Sequence, residues 1–434
     1  MSQDNLEQKL LLIGLLLIFS GMITVFHVSA HSVSIMWVLL LVLALYNLTL
    51  RVADHFIATE KHPEELPHYP HLSIIIPAHN EEKVIEETVF NLLKQDYPFF
   101  DILVMNDRST DETANILKKI KESLTENRTK LFSYVTRTPD ETPGKSAVLN
   151  DALCYTRSEY LLILDADAEV STDFLKRIMS RMMQSGYGAI QVQRKLIPFE
   201  EHHAGSFLVF CQAIEYALDT VLQSARQKLE SAVELRGSGM LVRREALYST
   251  NGWTESALTD DLDLSSKLHL TNWPIGFYTE PCVTEQGLGN WQALYKQRIR
   301  WAQGSIDRYL KYGIAMFFSF NTSPLLKLDT LIYSITFWIP PFFLLEGLFA
   351  LATLNGWLLL SWLSAWLVLW LLFMASFLSC QTPLWGEATL FRRIALSATG
   401  GSYMIALWVP AIYHAYWRLL TQTAPPQWEQ TERS

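Results

Sequence analysis

The stretch Tyr160-Leu161-Leu162-Ile163-Leu164-Asp165-Ala166-Asp167 decides the fold. Five apolar residues in a row are too few for an ordinary helix and read as a strand covered on both faces. The acidic residues that stop it place carboxylates at its carboxyl end. The same pattern recurs upstream: Leu72–Pro77 (LSIIIP) is a buried strand leading to Asn80, and Asp101–Met105 (DILVM) is another leading to Asp107. Glu81–Gln95 reads as a helix with Val84, Thr88, Val89 and Leu92 on one face, and Thr110–Ser123 as the next helix. Strands alternating with helices predict a mainly parallel α/β sheet of Rossmann-like type, with ligands beyond the carboxyl ends of the strands. Asn80, Asp107 and Asp165 stand just past such ends.

Apolar runs flank this block. From Leu10 to Leu50 there is no Asp, Glu, Lys or Arg. That is too long for one membrane span of about 20 residues and suits two, divided as Leu10–Phe26 and Val33–Leu50. Val28-Ser29-Ala30 loosely resembles a signal-peptidase site, but a second apolar run follows at once, which favours an uncleaved hairpin. Three further spans are expected at Thr330–Leu354, Trp357–Cys380 and Ile394–Trp417. Pro340-Pro341 should kink the first of these, and Glu346 inside it must face protein or a polar cavity. Arg51, Lys61, Lys327, Arg392 and Arg393 fall on one side of such a five-span chain, so the positive-inside rule makes that side cytoplasmic. The expected division is a hairpin over 1–51, a catalytic domain over 52–290, an interfacial region over 291–327, three spans over 328–418 and a tail over 419–434.

Composition narrows the partners. The 434 residues are half apolar and 18% charged, and fourteen tryptophans suit a chain that meets a bilayer interface. A formal charge of -9 argues against nucleic acid as a partner, since phosphate binding wants a basic patch. Cys154, Cys211, Cys282 and Cys380 are scattered without a CxxC pair, which reads as isolated buried thiols rather than a zinc site or a disulfide framework. Phe207–Leu229 and Trp291–Leu310 are amphipathic. Either packs on the sheet or lies in the membrane interface, and the neighbouring span at Thr330 favours the interface.

Three groups of residues carry chemistry. Asp165 and Asp167 at a strand end can converge on one hard cation, Mg²⁺ or Mn²⁺, whose shell diphosphate oxygens would complete. Thr259-Asp260-Asp261-Leu262-Asp263 offers a general base for a hydroxyl, while Asp260 or Asp263 could instead cap the helix that follows. Gln297, Arg300 and Trp301 stand at i, i+3 and i+4 and share a helix face. The Arg can grip a diphosphate and the Trp can carry a sugar ring. A snorkelling Arg and an anchoring Trp are the plain alternative. Gly144-Lys145-Ser146 is not a P-loop, because Pro139 stands where its first glycine is required, yet Lys145 can meet phosphate as a point charge. Gly237-Ser238-Gly239 can let a ligand approach the backbone, or can be a simple turn.

In this order the motifs resemble those of membrane-bound family 2 glycosyltransferases of GT-A fold, the group of cellulose, hyaluronan and poly-N-acetylglucosamine synthases, over about Leu72 to Lys311. The resemblance implies that Asn80, Glu81 and Asp107 lie near the uridine, that Lys145 and Asp165 lie near the nucleotide phosphates, and that Asp167 holds the metal. It implies Asp261 as catalytic base and Gln297, Arg300 and Trp301, as QxxRW, at the diphosphate and acceptor, with Gly237 and Gly239 beside them. Asn106-Asp107-Arg108 departs from the family, which often has Gly where Arg108 stands. A narrower resemblance, to cyanobacterial-type β-monoglucosyldiacylglycerol synthases, rests on Glu215–Gln227 (EYALDTVLQSARQ), Glu234–Arg244 (ELRGSGMLVRR), Thr259–Leu270 (TDDLDLSSKLHL) and Arg298–Tyr312 (RIRWAQGSIDRYLKY). It implies a UDP-sugar donor, a diacylglycerol acceptor, Mg²⁺ or Mn²⁺, and a bacterial plasma or thylakoid membrane. The alternatives are a processive synthase that exports a polymer and a scaffold that has lost its activity.

Overall fold

The computed structural model describes residues 3–30, 34–57, 68–197, 207–379 and 389–421. Lys61, Cys380 and most of the expected tail lie outside them. Helices α1 (Gln3–Ala30) and α2 (Met36–Phe56) come first. The central block follows as β1 (Leu72–Ala78), α3 (Ile85–Leu92), β2 (Phe100–Asp107), α4 (Thr113–Ser123), α5 (Glu126–Thr129), β3 (Phe132–Arg137), α6 (Lys145–Ala152), β4 (Tyr160–Ile163) and α7 (Phe174–Gln184). It continues as β5 (Ala189–Ile197), α8 (Phe207–Lys228), β6 (Met240–Arg243), α9 (Arg244–Ser249), α10 (Asp260–Leu270), β7 (Ile275–Gln286) and α11 (Trp291–Phe318). The chain then runs through α12 (Pro324–Ala352), α13 (Gly356–Ser379) and α14 (Leu390–Thr421).

The seven strands form one sheet in the order β3-β2-β1-β4-β6-β5-β7. β1 pairs parallel with β2 and β4, so Ala78, Asp107 and Asp165 come to one edge. The sheet is mixed: β6 runs antiparallel to both β4 and β5. Alternate residues of each strand serve opposite faces. Ile74, Ile76, Ile102 and Val104 join Val89, Leu117 and Ile178 in one core. Ile75, Leu103, Leu161 and Ile163 join Val148, Ala246 and Leu264 in the other. Both faces are covered by helices, which is why the strands read as unbroken apolar runs.

Among the described residues five helices are long and apolar enough to cross a membrane: Leu6–His27 and Met36–Phe56 at one end of the chain, and α12, α13 and α14 at the other. Exposed side chains such as Leu17, Leu41, Leu45, Leu363 and Leu367 give this bundle an apolar outside. Arg51 lies within α2 rather than after it, because that helix continues past the apolar run to Phe56. Glu346 is fully buried and accepts from Ile35 N at 2.8 Å and from Ser34 Oγ, with His27 Nε2 at 2.8 Å. It therefore faces protein, as its position in an apolar span demands. α12 continues through Pro340 and Pro341. The Phe337 carbonyl, which Pro341 cannot reach with an N–H, accepts instead from Tyr416 Oη at 3.2 Å, and Tyr413 Oη donates to the Pro340 carbonyl at 2.6 Å.

α8 packs on β5 and β7 and also on α2 and α13, while α11 packs on α10 and also on α12 and α14. They join the sheet to the apolar bundle. Among the described cysteines Cys211 is buried, Cys282 is half-buried and Cys154 is exposed, so the expectation of buried thiols fails at Cys154.

Candidate active site

The edge where β1, β2 and β4 end carries the chemistry. Gly144 takes φ +116 and Lys145 opens α6, so the Lys145 side chain starts beside the end of β4. Its Nζ donates to Asp165 Oδ1 at 2.7 Å. Burial alone would lower the Lys145 pKa; Asp165, Asp260 and Asp261 outweigh it and raise it. The Asp165 backbone N–H donates to Ser238 Oγ at 3.2 Å, which ties the strand end to the Gly237-Ser238-Gly239 turn. Both glycines have positive φ, +89 and +75. A Cβ on Gly239 would stand 2.6 Å from Val192 Cγ2, so only glycine fits there. A Cβ on Gly237 would stand 3.5 Å from Asp261 Oδ2 and 3.8 Å from Lys145 Nζ. The turn therefore lies directly over the Lys145 ammonium and the Asp261 carboxylate.

Asp261 sits in the first turn of α10, and its Oδ1 accepts from Leu262 N at 2.8 Å. Burial pushes its carboxyl up to about 6, Asp260 adds to the rise, and Arg236 and Lys145 oppose it. Neither Asp260 nor Asp263 caps the helix: Thr259 holds that position without a side-chain cap bond. Asp263 instead accepts from Thr254 Oγ1 at 2.6 Å and Tyr312 Oη at 2.8 Å. Thr259 is pinned from the other side by α11. A Cβ on Gly304 would come within 2.5 Å of Thr259 Cγ2 and Oγ1. Gly304→Ala should therefore cost about 1–3 kcal/mol and push the Asp260-Asp261 turn out of place. Adding Thr259→Ala should return most of the lost thermal stability, measured by melting in detergent; no recovery would show that the two helices do not meet there.

Gln297, Arg300 and Trp301 line one cavity of about 580 Å³ together with Lys145, Asp165, Gly237, Asp260 and Asp261. Between them on the chain, Arg298 is turned into protein. It donates to Glu215 Oε2 at 2.7 Å, and Glu215 also accepts from Tyr403 Oη at 2.7 Å and Trp408 Nε1 at 2.6 Å. The Arg298 guanidinium lies 4.1 Å from the centre of the Trp301 ring. Arg194, half-buried on β5, is held by both oxygens of Glu285, at 2.8 and 2.6 Å. Behind the site, Glu234 takes Arg226 and Arg236 at 3.0 Å and Arg308 at 2.6 Å. Sequence reading missed these arginines, because charged side chains are expected at solvated surfaces. A signal was present: Arg298 falls four residues after Leu294 and four before Ala302, on the apolar stripe of α11.

Asn80, Glu81, Asp107, Asp167 and Gly239 do not line that cavity. Asn80 (φ +55) accepts from Thr110 N at 2.7 Å, and Glu81 N donates to Thr113 Oγ1 at 2.9 Å, so both brace the loop at the end of β2. Asp107 is gripped by Arg137 at 2.7 Å and Arg108 at 2.9 Å. Burial alone would raise its pKa; the two guanidiniums outweigh that and lower it. Arg108 takes φ +56, so this chain keeps the backbone turn that a glycine would make easy. Asp167 Oδ2 accepts from Gln286 N at 3.3 Å, and Gln286 does line the cavity.

Asp165 and Asp167 are hard oxygen donors that fit Mg²⁺ or Mn²⁺. Among the described residues no group of three or more His, Cys, Asp or Glu side chains could hold a metal alone, so such an ion would need oxygens from a bound diphosphate.

A family model described as glycosyltransferase-like family 2 matches residues 70–304. A β-monoglucosyldiacylglycerol synthase of Nostoc sp. strain PCC 7120 is 37% identical over 245 residues, 56% of this chain and 50% of that protein. A poly-β-1,6-N-acetyl-D-glucosamine synthase of Staphylococcus aureus strain COL is 29% identical over 247 residues, 55% of this chain and 56% of that protein. The chain thus spans about half the length of the curated relatives it matches. Among solved structures, the mannosyltransferase PcManGT from Pyrobaculum calidifontis, in complex with GDP-Man and Mn²⁺, superposes with a TM-score of 0.60 at 18% identity, covering 90% of this chain and all of that one. That likeness supports the GT-A-type fold.

Proposed function

The chain belongs to glycosyltransferase-like family 2, and from that premise we propose that it is an inverting hexosyltransferase moving glucose from UDP-glucose to the hydroxyl of 1,2-diacylglycerol. The observation that carries this is the meeting of Asp261, Lys145 and Gly237, with Asp165 bonded to the same lysine. Asp261, Lys145 and Asp165 share one pocket with Gln297, Arg300 and Trp301, and in this reading they act as base, phosphate contact and metal ligand. In this reading residues 52–290 are the catalytic domain and 291–327 its acceptor-side helix, both on the cytoplasmic side, where Arg51, Lys327, Arg392 and Arg393 gather.

Asp261 takes the proton of the acceptor hydroxyl. That oxygen forms a bond to the anomeric carbon from the face opposite the diphosphate, whose bond to the same carbon breaks, and UDP leaves with the electron pair. Lys145 and Arg300 stabilise the leaving diphosphate. Fixed cations aimed at developing negative charge act strongly in a site from which water is excluded. A divalent cation, held by Asp165 and Asp167 with the diphosphate, would supply further positive charge at the leaving group. Asn80, Glu81 and Asp107 would shape the uridine side. Chelation with EDTA should abolish UDP release, and Mg²⁺ or Mn²⁺ should restore it; full activity in EDTA would remove Asp165 and Asp167 from the metal role.

The test of the whole reading is purified protein in detergent with UDP-glucose or UDP-N-acetylglucosamine and diacylglycerol. A glucolipid on a thin-layer plate is the expected result. A long polymer made without added lipid would favour the second reading, a processive synthase, to which the poly-N-acetylglucosamine relative lends weight.

A further inference from the structure

The cavity at the carboxylates does not stop at the sheet domain. It continues as one space into the bundle, where α2, α12, α13 and α14 supply its walls. There it is lined by Leu43, Ile339, Phe343, Leu369, Leu372 and Phe373. No lining residue from α12, α13 or α14 is charged, and besides tryptophan nitrogens their polar side chains are Tyr333, Thr336 and Ser376. α2 adds Tyr46, Asn47 and Arg51 beside Leu43 and Leu50, while Lys145, Asp165, Asp261 and Arg300 come from the sheet domain and α11. One end of the space thus suits a diphosphate and a hydroxyl, and the other suits hydrocarbon. A polymer passing through would find only Tyr333, Thr336, Ser376 and the tryptophan nitrogens as partners on α12, α13 and α14, and each hydroxyl left unpaired carries a cost. A lipid alcohol divides its chemistry the same way as the cavity does.

We propose that the membrane end of this cavity is a compartment for the acyl chains of the acceptor, which holds the lipid inside the bundle while its hydroxyl stands at Asp261. This rests on the reading that the acceptor is a lipid alcohol. Acyl chains in a bilayer are already out of water, so the compartment does not act by removing them from it. It acts by fixing where the hydroxyl can be, the positioning gain available to any bound reactant.

Two measurements test it. In the unaltered protein, a diacylglycerol carrying a diazirine near the end of one acyl chain should, on illumination, label Leu43, Ile339, Leu369 or Phe373. Excess unmodified diacylglycerol should suppress that labelling. Leu369→Trp fills the compartment, since Leu369 is buried on α13; Leu371→Trp places the same bulk on the outer, exposed face of that helix. Transfer to lipid should fall at least tenfold in the first variant, with UDP affinity within twofold of the unaltered protein, and should be unchanged in the second. Labelling confined to outward residues such as Leu363, Leu367 and Leu371, or equal transfer by both variants, would overturn the compartment even if glucolipid is made. A polymer product with no glucolipid would overturn the underlying function instead. The labelling of unaltered protein decides the matter should Leu369→Trp not fold.

Discussion

Asp261→Asn should cut turnover by about 10²-fold or more while UDP binding stays close to unaltered. The amide keeps the shape and the bond from Leu262 N but cannot take a proton. The acceptor hydroxyl has a pKa far above 7, so its attack depends on a base within reach. Because burial and Asp260 push the Asp261 carboxyl up to about 6, the unaltered protein should also show an acid limb. A raised pKa keeps the group protonated, and idle as a base, below that value. The expected kcat/KM therefore falls about tenfold per pH unit below 6 and levels off above it. A fully active Asp261→Asn variant, or an acid limb left in place by it, would assign the base to another group.

The second large effect is on stability. Glu234 is a buried carboxylate shared by Arg226, Arg236 and Arg308. Asp329 also holds Arg226, at 3.0 Å, and Asp219 holds Arg236, at 2.9 Å. Arg308 has Glu234 as its carboxylate partner, beside the Tyr309 hydroxyl at 2.9 Å. Glu234→Ala should thus strand the Arg308 charge inside the protein, at a cost of about 3–5 kcal/mol, and lower the melting temperature in detergent sharply. Adding Arg308→Met should recover much of that loss, because the cost lies in an uncompensated charge rather than in a missing attraction. The double variant melting no higher than the single would refute this. Burial alone would raise the Glu234 pKa, but the three guanidiniums outweigh it and depress it below its unfolded value. Its contribution is therefore present above the ordinary Glu value of about 4.3 and is lost as pH falls below it. The unaltered protein should lose melting temperature over that acid range more steeply than the Glu234→Ala variant.

These two residues show what sequence reading reaches. Asp261 was legible because its chemistry is local: a carboxylate at the start of a helix, in an ordered set of motifs. Lys145, Asp165, Gly237, Gln297, Arg300 and Trp301 were legible in the same way, and the structure brings them to one cavity. Glu234 was not, since its three partners come from α8, α11 and the turn before β6, and no spacing in the chain connects them. Strands β1, β2 and β4 announced themselves by apolar runs covered on both faces. β6 is four residues long, too short to show a period, and it is the strand that makes the sheet mixed. β7 carries Glu280-Pro281 in its middle, which hides a twelve-residue strand from a search for alternation.

Glu346 sets an order of assembly. The first turn of α2 leaves backbone N–H groups open, and in hydrocarbon each open group is expensive. Met36 N, Trp37 N and Val38 N find Ser34 Oγ, Ser34 O and Ile35 O in the same turn, whereas the Ile35 N–H just before them finds Glu346 of α12, 311 residues later. During synthesis the partners of the Ser34 and Ile35 N–H groups, on α13 and α12, arrive only after the whole sheet domain has been made. The two ends of the chain thus lean on each other, and a truncated protein ending before α12 should leave its first two helices prone to degradation.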